Sequence, residues 1–193
     1  MIQMKAIFTA TLLALCNFVY AQQNTEFKEI KDYFDSQKSL LKTEFQKKYL
    51  AENNPLKKDK IKADYKDFVQ KIDSVKNVAY LGALIRVKNT EDLKKVVHHP
   101  EVKMDNQEVE KPEFPNGINS LREKVAELFY ADGICCDDKE LNTILKFVVE
   151  KDGSLSEISA DGEIPAFNKQ AEIALYLLSD KFQKPGTVNG NAV

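Results

Sequence analysis

The apolar positions of this chain follow two different rhythms. Phe27, Ile30, Phe34, Leu41, Phe45 and Tyr49 recur at steps of three and four, with a gap at Lys38. That spacing places them on one face of a helix. Asn53-Asn54-Pro55 interrupts the pattern. Asn54 suits a helix cap and Pro55 suits a first turn. Ile61, Tyr65, Phe68, Ile72 and Val75 then form a second stripe. Two amphipathic helices joined by a short break pack antiparallel, so residues 22–77 read as a helical hairpin. Only about two to three heptads are present, too few for a long partner-binding coiled coil. The stripes are expected to bury each other or to cover the rest of the chain.

Residues 78–87 are apolar and short, and fit either a strand or the continuation of a helix. Thr90 reads as the cap of a further helix, with Glu91 and Asp92 in its first turn and Leu93, Val96 and Val97 behind them. His98-His99-Pro100 closes that element. Residues 101–115 are charged, contain Pro112 and Pro115 and lack periodicity, so they read as a linker.

The last part of the chain switches rhythm. Ile118, Leu121, Val125 and Leu128 line a helix face. Thr143, Leu145, Phe147 and Val149 alternate with Ile144, Lys146, Val148 and Glu150, a strand pattern. Asp152-Gly153 signals a hairpin turn, because glycine accepts positive φ. Leu155, Ile158 and Ala160 continue on a second strand. The three-residue step from Leu155 to Ile158 predicts a bulge near Ser156 and Glu157. Phe167, Ala171, Ala174, Leu178 and Phe182 mark a second helix, stopped by Pro185-Gly186, and Asn189-Gly190 is another turn signal. The whole is expected to be α+β: residues 22–100 a helical module, 101–115 a linker, and 116–193 a domain of two helices packed on a short antiparallel sheet.

Residues 114–193 resemble the C-terminal domain of TonB, in the form found in Bacteroidetes periplasmic proteins. Phe114-Pro115-Asn116-Gly117 resembles the family's Phe-Pro-Gly-Gly opening. Residues 147–154 resemble its central strand and Asp152-Gly153 turn, and residues 167–171 the start of its second helix. Pro185-Gly186, Asn189-Gly190 and Val193 resemble its closing pattern. Gln183 stands where the family usually carries Trp, and Ala192 where it carries Pro. The family's final strand has no counterpart before Val193. The resemblance implies strand addition, in which an extended segment of an outer-membrane receptor or other envelope protein satisfies an open sheet edge. The edge offered would be that of Thr143, Leu145, Phe147 and Val149, filled by a partner, by residues of the first half, or by a strand beyond an incomplete reading frame.

The beginning of the chain fits export. Lys5 precedes an apolar run over residues 6–15, and Val19-Tyr20-Ala21 follows. This is the order of a secretory signal peptide, with cleavage expected between Ala21 and Gln22 and the product in the periplasm. The run is short for a span of about 20 residues. An uncleaved inner-membrane anchor and a lipoprotein at Cys16 are the alternatives. Without residues 1–21 no second stretch approaches a membrane span. The remainder carries 27 basic and 30 acidic side chains, a net charge of −3. Residues 22–100 hold 17 Lys and Arg against 12 Asp and Glu; residues 101–193 hold 10 against 18. The acidic second half argues against nucleic acid as a partner.

Candidate chemistry is sparse. Cys135 and Cys136 are the cysteines left after cleavage, and export would expose them to oxidation. A bond between neighbours is strained and easily reduced, which suits a redox switch; free thiols in a loop or cross-chain bridges are the plainer reading, since no Cys-x-x-Cys motif is present. His98 and His99 are adjacent and point apart, a poor basis for metal binding. There is no Gly-x-Ser-x-Gly, phosphate loop or His-Glu-x-x-His. The expectation is a binding protein, without catalytic residues or cofactor. A thiol-redox or metal-responsive protein using Cys135 and Cys136 is the second reading, and a structural envelope protein whose helical hairpin does the binding is the third. The sequence leaves the oligomeric state open.

Overall fold

The computed structural model describes the backbone of residues 2–97, 109–132, 134, 140–188 and 191–192, and the side chains of 25–93, 110–132, 134 and 140–187. Cys135, Cys136, His98, His99, Asn189 and Gly190 lie outside the described residues. Two long helices come first, α1 (Ile2–Ala51) and α2 (Pro55–Val97). The chain divides into two compact units, one of Thr25–Ala83 and one of Met1–Asn24 with Leu84–Val193.

The unit of Thr25–Ala83 is the helical hairpin. Its turn is closed by side chains acting on backbone amides. Asn54 Oδ1 accepts from the amides of Leu56 at 2.9 Å and Lys57 at 3.4 Å. That is the N-cap expected of Asn54. Glu52 Oε1 accepts from Asn53 and Asn54, each at 2.9 Å. The Asn54 amide holds the Glu52 carboxyl below its ordinary value. Phe27 is fully buried and stacks on Tyr80, with centroids 6.0 Å apart. Phe45 stacks on Tyr65 at 4.3 Å. Burial, and then the charges of Asp35, Asp32 and Asp73, raise the Tyr80 hydroxyl well above its ordinary value.

Two details differ from the sequence pattern. Phe68 and Val75 are exposed, and the facing line instead runs through Ile61, Tyr65, Val69, Ile72 and Lys76. A helix of 3.6 residues per turn drifts off a strict alternation of three and four. Residues 78–87 continue α2, and so does Thr90. The Thr90 hydroxyl donates to the Arg86 carbonyl one turn back, at 2.9 Å, so it bonds within the helix instead of capping a new one.

The other unit holds β1 (Val109–Glu110), α3 (Gly117–Leu128), β2 (Thr143–Val149), β3 (Leu155–Gly162), α4 (Pro165–Tyr176), β4 (Thr187–Val188) and β5 (Asn191–Ala192). With its helical N-terminal part the chain is α+β. β2 and β3 form an antiparallel hairpin, α4 lies on it, and α3 packs on α4. The turn is tight: Gly153 donates to the Glu150 carbonyl and Glu150 to the Ser154 carbonyl, both at 2.8 Å. Lys146 pairs with Ser159 and Val148 with Ser156, so Glu157 and Ile158 together oppose Phe147. This is the expected bulge, and Glu157 adopts φ 49° within it.

α4 ends at Tyr176, six residues before the periodic pattern does. Leu178 and Phe182 are buried from the turn and irregular segment that follow it. Phe182 packs on Phe114 at 5.2 Å and on Phe147 at 5.8 Å. Those contacts position it independently of helical spacing. A second small sheet has the order β1-β4-β5, and a Glu113–Lys184 bridge extends its first ladder. β1 therefore forms within the charged stretch that reads as a linker. Val188 pairs with Asn191 and Thr187 with Ala192. Among the described residues no helix is long and apolar enough to cross a membrane.

Candidate functional site

Pairs in an antiparallel ladder alternate between those that exchange hydrogen bonds and those whose backbone groups point outward. The Ala160 amide donates to Glu172 Oε1 at 2.8 Å, away from β2. Its register partner Leu145 therefore belongs to an outward pair. Past the bulge, the Glu150 amide donates across the ladder to the Ser154 carbonyl, so Val149 opposite Leu155 is again outward. The outward N–H and C=O groups of β2 thus belong to Thr143, Leu145, Phe147 and Val149. Among the described residues none of these groups has a partner, and β2 pairs with β3 alone.

The two edges of the hairpin differ. On the β3 side, Glu91 of α2 accepts the Glu157 amide at 3.1 Å, and Glu172 of α4 accepts that of Ala160. Lys88 lies 3.5 Å from Glu172. Two carboxylates thus occupy outward donors of β3, and the edge left open is that of β2.

The side chains of Thr143, Leu145, Phe147 and Val149 turn to the inner face, half-buried or buried. Ile144, Lys146 and Val148 face outward, and Ile144 is 64% exposed. At the Thr143 end the hairpin opens into a cavity of about 270 Å³ lined by Glu140, Asn142, Thr143, Asp161, Glu163 and Phe167, among others. Gly162 keeps this end narrow, since a Cβ there would stand 2.7 Å from the Asn142 carbonyl oxygen.

The other residues singled out in the sequence serve the frame of this site. Phe114 is buried against Phe182. Pro115 and Asn116 form the turn into α3, Asn116 and Gly117 take positive φ, and the Gly117 amide donates to the Phe114 carbonyl at 2.9 Å. Asp152 accepts from Ser154 and Lys181 at the hairpin turn. Burial pushes its carboxyl up, but the bonds from Lys181 and Ser154 outweigh that and hold it at about 2. Pro185 and Gly186 lie between the Lys184 bridge and β4. Gln183 is exposed, and its amide donates to the Glu113 carbonyl at 2.8 Å. Among the described residues no His, Cys, Asp and Glu cluster could hold a metal.

Glu91, Glu172 and Tyr176 carry no sequence signal for their roles. Tyr176 donates to Glu91 across 85 positions of chain, and local periodicity holds no trace of such a pairing. No protein family, curated protein or solved structure matches the chain.

Proposed function

We propose that this protein is an interaction module that binds an extended peptide by adding it as a strand at the outer edge of β2. The open backbone of Thr143, Leu145, Phe147 and Val149 carries this reading, beside a β3 edge blunted by Glu91 and Glu172. An incoming strand would satisfy the outward groups, and main-chain bonds of this kind supply affinity. Ile144, Lys146 and Val148 would border the added strand on the outer face. No catalytic step and no cofactor enter this reading.

The resemblance of residues 114–193 to the TonB C-terminal domain supports the same mode of binding. It suggests an outer-membrane receptor or another envelope protein as the source of the peptide. The signal-like residues 1–21 support export and cleavage after Ala21. A domain released in that way binds but does not pull, so energy transduction is not part of the proposal.

Proline at an outward position separates binding from folding. The Leu145 amide is outside the β2–β3 ladder, so Leu145→Pro leaves the hairpin bonds in place while removing an outward donor. Lys146→Pro removes a ladder donor and is expected to unfold the hairpin. The native partner, trapped by a photo-crosslinker at Ile144 in the cell envelope, should slow amide exchange at Leu145 and Phe147. Leu145→Pro should abolish its binding while retaining the circular dichroism of the parent. Full binding by a folded Leu145→Pro variant would rule the edge out.

A further inference from the structure

The turn of the helical hairpin combines two features that nothing in the strand-addition reading uses. Leu50, one residue before the end of α1, is 78% exposed. Leu56, the second residue of α2, is 80% exposed. Only five residues separate them, including Asn53, Asn54 and Pro55. Around them the chain is strongly basic: residues 42–62 hold seven lysines against three acids.

Two of those acids are already engaged. Glu52 accepts the Asn53 and Asn54 amides, and Glu44 pairs with Lys47 at 2.8 Å. Lys58 and Lys62 lie over the Tyr49 ring at 5.0 and 5.3 Å. Lys48, Lys57 and Lys60 are exposed and form no salt bridge among the described residues. The helix ends therefore expose two large apolar side chains within a lysine-rich stretch of chain.

We infer that this hairpin tip docks on an anionic lipid surface, with Leu50 and Leu56 entering the interfacial layer and the lysines meeting headgroup phosphates. Apolar side chains framed by lysine are the chemistry of interfacial binding, in which burial and charge attraction add. A protein partner is the poorer fit. A stable protein interface needs about 800 Å² on each side, and a turn with two leucines offers little of that. Nucleic acid would use the lysines alone and gain nothing from two exposed leucines. The inference is independent of strand addition, because every residue it uses belongs to Thr25–Ala83.

The test is sedimentation of the full chain with unilamellar vesicles. Phosphatidylcholine vesicles containing phosphatidylglycerol should carry the protein down, and pure phosphatidylcholine vesicles should not. Leu50→Gln with Leu56→Gln keeps the charge and suits a helix, and should weaken partitioning at least about tenfold. Lys48→Gln, Lys57→Gln and Lys60→Gln together should weaken it about a hundredfold, at about fivefold for each lysine lost. Circular dichroism at 222 nm should match the parent in both variants, since all five positions are exposed. Failure of the parent to bind the anionic vesicles would overturn the inference. So would undiminished binding by the leucine variant, which would mark a surface that reads negative charge alone.

Discussion

The Tyr176 hydroxyl donates to Glu91 Oε1 at 3.0 Å in the core of the α+β unit, where Tyr176 is 1% and Glu91 5% exposed. The same oxygen accepts the Glu157 amide at 3.1 Å. One carboxylate of α2 thus joins the end of α4 to the bulge of β3. Burial, and then the Glu91 charge, raise the Tyr176 hydroxyl well above its ordinary value, so it remains a donor.

Tyr176→Phe deletes the donor and little volume, and should cost about 2 kcal/mol, as for a bond to a charged group. Glu91→Ala also removes the partner of Glu157 and leaves a cavity, and should cost about 3 kcal/mol or more. The two changes touch one oxygen, so the double variant should lose less than the sum. Urea unfolding of the four proteins measures the coupling. Strict additivity would mean that the two residues act separately.

What the sequence disclosed and what it hid divide along the range of the contacts. The Asn54 cap, the Asp152-Gly153 turn, the alternation of β2 and the bulge at Glu157 rest on neighbours a few residues apart, and local pattern recovers them. Thr90 looked like a cap because its residue type favours both roles, and only the helix running through it decides. Leu178 and Phe182 kept helical spacing beyond the true end of α4, since Phe114 and Phe147 place Phe182. The open edge was legible as a strand. That it is open, and that β3 is not, depends on Glu91 and Glu172, whose contacts no local pattern encodes.

Gly153 is held by the segment it turns against. Its φ is 80°, its carbonyl accepts the Phe182 amide at 2.9 Å, and a Cβ would stand 2.3 Å from the Phe182 carbonyl oxygen. Gly153→Ala therefore meets both left-handed strain and a backbone clash. We expect a loss of about 2–4 kcal/mol in urea unfolding. A loss below about 1 kcal/mol would mean that the segment around Phe182 yields at little cost.

Asp152 should contribute stability in a defined acid window. Its pKa in the fold is about 2, below the ordinary 3.8, so folding favours the ionised form. That contribution is complete above about pH 4 and is lost as pH falls through about 2. The Lys181 pair is more than half exposed, so solvent screening limits the effect to about 0.5 kcal/mol. Asp152→Asn should be less stable than the parent at pH 5 and equal to it near pH 2. A gap that persists unchanged to pH 2 would assign the effect to something other than the charge.

An unpaired strand edge invites pairing with further copies, and β2 carries one guard against it. Ile144 and Val148 are exposed on the outer face, and Lys146 stands between them. Inserting a charge into an apolar edge strand raises the cost of stacking like copies, because each new copy brings another ammonium into register. Lys146→Val removes that penalty and leaves the Lys146 backbone bonds to Ser159 intact. It should leave the stability of the monomer nearly unchanged while greatly shortening the lag before thioflavin-positive aggregates form at 37 °C. Adding Ile144→Lys to that variant should restore the lag. If Lys146→Val stays dispersed for as long as the parent, the β2 edge is not the route to aggregation, and another part of the protein covers it in solution.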